Sequence, residues 1–236
     1  MRKRPLGFVL GCSVTVMPLA LLGLAALGPA ACIPDPHGDF EEYNERTGEF
    51  RTTGEAGAID SAPPTTAVQG LYYAVCLSQL AAGRPDRVLR FYTETTFTPD
   101  PAGGTGKIEL KLTPLKLGPG NTAPPQVSKA WVIGNTYTVA QTPTDTNGVY
   151  AANLGTVTIP GEANPISGRE IIVENAALPG RFAKEKFCSQ LRGNVVQPTQ
   201  IELSGEANTC VYLPVKEGDP PPAIAREDIP QTCTLK

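Results

Sequence analysis

The residues best suited to chemistry in this chain are its cysteines, at 12, 32, 76, 188, 210 and 233, and its single histidine, His37. A thiol can ligate a metal, attack an electrophile, form a disulfide or carry a lipid, and spacing separates these uses. None of the six lies in a Cys-x-x-Cys pair, so neither a zinc site nor a thioredoxin-type dithiol has a supporting spacing. A lone histidine removes Ser-His-Asp and Cys-His machinery in their ordinary forms, and any His-based metal site. Paired carboxylates can serve a glycosidase, yet Glu94, Glu109 and Glu202 alternate with apolar neighbours and read as solvated. No Asp-x-Asp-x-Asp-like run marks a calcium loop. The sequence therefore assigns no catalytic residue, no cofactor and no metal ligand.

Disulfides and a lipid remain, and the first 32 residues decide between them. Arg2, Lys3 and Arg4 precede an uncharged run from Pro5 to Ala31, with Leu6, Phe8, Val9, Leu10 and the Leu/Ala-rich segment Leu19–Leu27, the layout of a secretory signal. Its end, Ala30-Ala31-Cys32, resembles a bacterial lipoprotein signal, in which a Leu-Ala-Gly/Ala-Cys box is cut before a diacylated cysteine. Pro29 stands where a Leu is usual, and the nearest is Leu27. The resemblance implies a lipidated Cys32 and a cell-envelope protein held to the membrane through that anchor. Because Ile33 follows the cysteine where Asp would signal inner-membrane retention, it also implies an outer-membrane address, on the periplasmic or surface face. Cleavage without lipidation and an uncleaved anchor are the alternatives. About 20 apolar residues suffice to span a bilayer, though Pro18 and scattered glycines weaken such a helix. Cysteine parity favours the lipid: Cys12 leaves with the signal and Cys32 is capped. Four cysteines are left, an even number suited to two disulfides in an oxidising compartment.

The expected organisation is a signal peptide over 1–31, a lipidated cysteine with a flexible acidic tether over 32–67, a β domain over 68–215 and a Pro-rich tail over 216–236. From Cys32 onward there are 205 residues, and without the three leading basic residues Lys+Arg number 17 against 23 Asp+Glu. An acidic chain with no basic cluster argues against nucleic acid, whose binding rests on phosphate neutralisation. The tether holds Pro, Gly, Asp, Glu, Thr and Ala with few large apolar groups, too little to offset ordering entropy. As a coil of about 35 residues it would reach roughly 30 Å. Phe40 and Tyr43 within it read as a docking peptide or as a locally ordered start to the linker.

From Val68 the apolar periodicity becomes two, the signature of half-buried strands. Gly70–Leu80 places Leu71, Tyr73 and Val75 on one face and Tyr72, Ala74 and Cys76 on the other; Val88–Phe97 alternates in the same way. In Lys107–Leu117 the apolar set changes parity between Leu112 and Leu115, which predicts a bulge near Thr113–Pro114. Val127–Ala140 reads as one bent strand or two short ones, and Asn147-Gly148 as a hairpin turn. In Val149–Ile159 the parity changes again, with Gly155 at the switch. Glu170–Leu178, Phe182–Leu191, Asn194–Leu203 and Thr209–Val215 follow. The pattern predicts an all-β domain, an antiparallel meander of about eight or nine strands. A closed or partly closed, lipocalin-like barrel is preferred to a sandwich, because most connections look like hairpins.

Gly148–Gly168 (GVYAANLGTVTIPGEANPISG), with Phe187-Cys188 and the Gly193, Pro198, Leu203 rhythm after it, resembles an uncharacterised family of exported bacterial lipoproteins. Members combine an acidic tether, a β domain, a PGxANPISG-like turn and a later Phe-Cys-Gly; here Ser189 replaces that Gly. The resemblance spans most of residues 39–205, supports the compartment and the all-β reading, and implies no activity. Within the chain, Gly161-Glu162-Ala163-Asn164 recurs as Gly205-Glu206-Ala207-Asn208. The echo reads either as two matched turns on one rim, forming a binding mouth, or as turn chemistry met twice by chance.

A barrel leaves a binding or structural module as the expected function. Its interior could hold a small apolar ligand, lined by Tyr73, Phe91, Phe97, Trp131 and Tyr150, unless these simply fill the core. Alternatively, a surface module contacts polysaccharide or an envelope protein through exposed aromatics such as Tyr72 and Tyr92. A carboxylate hydrolase is the remote third reading. Four cysteines allow three pairings. Cys188–Cys210 would cross an intervening strand, and Cys76–Cys188 would join strands that are not neighbours. In a barrel closed in order the last strand lies beside the first, so Cys76–Cys210 is expected across the seam. That leaves Cys188–Cys233 to staple the tail.

Overall fold

The computed structural model of the chain describes residues 63–81, 84, 86–204, 207–224, 229 and 233. The expected signal and tether, with Cys12, Cys32, His37, Phe40 and Tyr43, lie outside them. The described strands are β1 Val68–Cys76, β2 Leu89–Pro99, β3 Gly106–Pro114, β4 Tyr137–Thr144, β5 Val149–Ile159, β6 Ile171–Arg181, β7 Phe187–Gln190, β8 Arg192–Gln197, β9 Ile201–Leu203 and β10 Thr209–Val215. All pair antiparallel in one ten-stranded sheet ordered β4-β3-β2-β1-β10-β7-β6-β8-β9, with β5 on β6.

β7 and β8 act as one bent strand. Both pair with β6, at Gly180–Arg181 and at Ile172–Ala177, while their other edges take β10 and β9. The chain therefore meanders neighbour to neighbour, and β10 returns to pair with β1 over Leu71↔Val215 to Cys76↔Cys210. Besides the three-residue β9, which pairs only with β8, the strands left at the edges are β4 and β5, the arms of one hairpin. Its turn is closed by Asp145, whose Oδ1 accepts the N–H groups of Asn147 and Val149 at 2.8 Å each, with Gly148 at φ 77°. Edges joined by so short a turn force the sheet to curl. No ladder joins β4 to β5 among the described residues. Instead the Tyr137 hydroxyl bridges the seam, donating to the Thr158 carbonyl at 2.6 Å and accepting the Thr158 N–H at 2.7 Å. The result is a meander barrel open along one seam, all-β and without sandwich crossings.

The core explains the alternation. Residues from β1 to β10 form one interior cluster, including Tyr72, Phe91, Phe97, Ile108, Leu110, Val139, Tyr150, Val173, Phe187 and Tyr212. Each large apolar side chain taken out of water contributes about 1.5–3 kcal/mol before entropy is counted. A second cluster lies on the outer face: Tyr73, Val75, Leu77, Val88, Tyr92 and Val211, covered by Leu115, Val127 and Ile229. β1 is thus buried on both faces. The exterior further along carries Lys107, Glu109 and Lys111. Apolar inside and charged outside is the reverse of a membrane-spanning barrel. Among the described residues no helix is long and apolar enough to cross a membrane.

Three strand expectations need correction. The bulge placed near Thr113–Pro114 does not occur, since the β2–β3 register runs unbroken to Phe91↔Pro114. The parity change at Leu115 reflects a change of core: Leu115 keeps alternating and enters the outer cluster, its N–H on the Arg90 carbonyl at 3.0 Å. Asn194–Leu203 is two strands, broken where Pro198 has no N–H for a ladder. Over 127–136 the backbone forms a loop with a 3-10 turn at Lys129–Trp131. The switch in β5 does fall at Gly155 (φ 71°), flanked by register shifts against β6.

Both disulfides form as the topology demands. Cys76 and Cys210 are opposed across β1 and β10 with Cα atoms 3.9 Å apart. The Leu77 N–H bonds the Thr209 carbonyl, so the cysteines sit at the adjoining non-hydrogen-bonded pair, where side chains approach most closely. Cys188–Cys233 ties the tail to the sheet, with Cα atoms 5.6 Å apart.

Candidate functional site

The interior has two unlike ends. Toward the Asp145–Gly148 turn it is packed with rings: Phe187 stacks on Tyr212 at 4.2 Å and meets Tyr72 and Phe182 edge-on at 5.1 Å, while Phe182 stacks on Phe97 at 4.9 Å. Most polar tips find partners there, while the buried Tyr150 hydroxyl has none. The Tyr72 hydroxyl donates to the Lys184 carbonyl at 2.7 Å, and those of Ser189 and Tyr212 share a 2.9 Å hydrogen bond. Tyr150 is fully buried, with its hydroxyl where a side chain on Gly180 would stand, which is why that position is glycine. Burial pushes the Tyr150 and Tyr212 phenols above their ordinary range, with Tyr212 adding to the shift of Tyr150. Tyr72 is pushed up to about 12 by burial and then by the Glu185 carboxylate.

Toward the Cys76–Cys210 bridge the lining is apolar, with Phe91, Leu112, Tyr137, Val157, Val173 and Leu191 around a cavity of about 30 Å³. That is room for one or two waters; ligand pockets run from about 300 to 1,000 Å³. Of the five residues expected to line a ligand chamber, Phe97 and Tyr150 belong to the ring-filled end and Phe91 to this small cavity. Tyr73 and Trp131 face the other way, into the outer cluster. The five do not share one chamber. Tyr72 and Tyr92, expected as exposed contacts, are both buried.

Larger spaces lie on the outside. One groove, about 270 Å³, sits over β1, β2 and β3 and is lined by Gln69, Leu71, Tyr92, Glu94, Thr96, Glu109 and Lys111. Register orders these side chains as a grid: Gln69, Thr96 and Glu109 in one row, Leu71, Glu94 and Lys111 in the next. Lys111 Nζ lies 3.2 Å from Glu109 and Lys129 Nζ 3.1 Å from Glu94. The next outward position on β2 is Tyr92, whose hydroxyl donates to Glu217 Oε2 at 2.6 Å. Burial, then Glu217, raises the Tyr92 phenol above its ordinary value. Glu217 Oε1 also accepts the Lys129 N–H at 2.8 Å, so one carboxylate pins the tail to the 127–133 loop and the sheet.

Beyond that clamp a second groove, about 260 Å³, lies between the tail and the sheet, lined by Tyr73, Val88, Arg90, Ala123, Pro221 and Ile224. Burial raises the Tyr73 phenol, and the Arg90 guanidinium partly opposes it.

The first Gly-Glu-Ala-Asn stretch follows β5 as a 3-10 turn at Gly161–Ala163; of the second, which follows β9 in the sequence, Gly205 and Glu206 lie outside the described residues. Their asparagines are fully buried loop organisers. Asn164 donates to the Arg169 carbonyl at 2.6 Å and accepts the Ile166 N–H at 2.9 Å. Asn208 accepts the Gln79 N–H at 2.9 Å. With the Asn164 side chain spent on its own loop and that of Asn208 on Ser78 and Gln79 after β1, these two residues do not form a mouth.

Sequence reading missed the grid. Alternation shows that Gln69, Thr96, Glu109 and Lys111 point outward, but only register shows that they adjoin. Among the described residues no cluster of three or more His, Cys, Asp or Glu side chains could hold a metal. In comparisons with protein-family models, curated proteins and solved structures, nothing matches this chain.

Proposed function

We propose that this chain is a cell-envelope lipoprotein, anchored through Cys32, whose β domain is a binding module that holds an envelope component on its outer surface. The observation that carries the reading is the contrast in space: about 30 Å³ inside the barrel against about 270 Å³ over β1–β3. Two disulfides support an oxidising compartment. The groove's acids are each matched by a lysine, which supports binding rather than hydrolysis.

A second reading, a small apolar ligand within the barrel, has the apolar end cavity in its favour. It requires the Leu191 and Val157 walls to move apart. Replacing Cys32 with Ser tests the anchor: the protein is expected to leave the membrane fraction or stall in processing. Equal membrane retention at unchanged mass would overturn it. Native mass spectrometry after mild extraction separates the two ligand readings, since a retained lipid-like mass favours the interior.

A further inference from the structure

We infer that the groove over β1–β3 is a binding site for a neutral, hydroxyl-rich chain, that is, an oligosaccharide strand. This rests on the outer-surface reading and names its ligand class.

Backbone recognition is ruled out first. β1 is paired with β10 and β2, β2 with β1 and β3, and β3 with β2 and β4. Among the described residues, the free edge left on these strands is Val68–Gly70, which pairs with β2 but not with β10, and three residues are too short a stretch to seat an extended peptide. Whatever binds must be read by side chains. Charge comes second. The two lining acids, Glu94 and Glu109, are matched by Lys111 and Lys129, so the site carries no excess of either sign. An anionic polymer needs surplus Lys or Arg, and a cation needs unpaired carboxylates. Neither condition is met.

Chemistry comes third. The first row, Gln69-Thr96-Glu109, supplies an amide that donates and accepts, a hydroxyl that does both, and a carboxylate that accepts. The second row adds the Leu71 side chain as an apolar patch beside Gln69, with Glu94 between it and the Lys111 donors at the far end of the row. Alternating donors and acceptors on a small apolar floor match a ring bearing hydroxyls on its rim and C–H groups on its faces. Neighbouring strands are about 4.8 Å apart, a step of the order of one sugar unit. Tyr92, clamped by Glu217, bounds the groove toward the tail.

The test titrates the full disulfide-intact protein, isotope-labelled, with chitotetraose and with maltotetraose, following backbone amide shifts. The expected result is saturable shifts at 69–71, 92–96 and 109–111 with at least one of the sugars, at a Kd of about 1 mM or tighter. Thr96→Trp, which fills the middle of the grid from an exposed position, should weaken binding about tenfold or more. Lys111→Met should weaken it about threefold. No saturable shift with either sugar, or shifts confined to other faces, overturns the ligand class.

Co-sedimentation with purified cell-wall sacculi keeps that failure apart from failure of the outer-surface reading. Sacculus binding abolished by Thr96→Trp in a protein blind to both sugars would leave the groove as the site and discard the neutral oligosaccharide. Sacculus binding untouched by Thr96→Trp would discard both. An unchanged thermal unfolding profile for Thr96→Trp establishes that it is folded.

Discussion

The two faces of β1 and β2 are both buried near Tyr72 and Tyr92, but by different means. The inner face is sealed by side chains of the strands themselves, ring on ring, with Phe187 touching Tyr72, Phe182 and Tyr212. The outer face is sealed by borrowed segments: the loop through Val127 and Trp131, and a tail held by Glu217, Ile229 and the Cys188–Cys233 bridge. Strands that close on themselves pack to native density and leave little room. Segments laid across a sheet cover only part of it, and the space they leave is the larger. In this domain the hydrophobic core and the accessible grooves are therefore opposite sides of the same strands.

The largest expected effect breaks the inner side. Phe187→Ala removes the ring at the centre of the cluster and should cost about 3–5 kcal/mol in denaturant unfolding. A loss under about 1 kcal/mol would mean that the interior is not the solid core described here.

Next comes the outer cover. Removing the Cys188–Cys233 bridge with paired Ser substitutions should cost about 2–4 kcal/mol and open the tail after Val215 to protease before the barrel is cut. Simultaneous cleavage of both would show that the tail is integral to the barrel rather than laid upon it.

Alkaline titration sharpens the contrast further. The folded-state pKa of Tyr72 is raised to about 12, and those of Tyr150 and Tyr212 are raised as well. A raised folded pKa contributes stability that is intact below the ordinary tyrosine value near 10 and is lost as pH rises through the folded value. Urea midpoints should hold up to about pH 10 and fall between about 10 and 12, with the phenolate absorbance of Tyr72, Tyr150 and Tyr212 appearing only as the protein unfolds. Early ionisation of all seven tyrosines would contradict this. The smallest effect should come from Thr96→Trp, within about 0.5 kcal/mol of wild type, as an exposed substitution away from caps and cores.

How much of this was legible in the sequence follows from what sets each feature. Alternation in Val88–Phe97 and Lys107–Leu112 marked the inner and outer sides correctly, because period two is a local property. Gly155 showed its switch because a positive φ favours glycine. The disulfides could be deduced because a meander that returns to its start brings Cys76 and Cys210 together. Leu115 was misread as a slip because nothing local indicates a second core. That core is built from segments up to Ile229, 114 residues away in the chain. Tyr73 and Trp131 were misplaced as companions of Phe91 for the same reason: an aromatic residue declares burial, not which side it is buried on. The grid over β1–β3 needed the registers Gln69↔Thr96 and Thr96↔Glu109, which alternation does not supply.

The measurement that bears most directly on the central claim, that the ligand lies outside a filled barrel, is hydrogen exchange on the protein bound to purified cell-wall sacculi and free. The expected result is slowed exchange in peptides covering 69–71, 92–96 and 107–111, with 171–178 and 187–191 unchanged. Protection gained instead around Val157, Val173 and Leu191, with β1–β3 unaffected, would place the ligand inside the barrel and contradict the account, as would no protection anywhere.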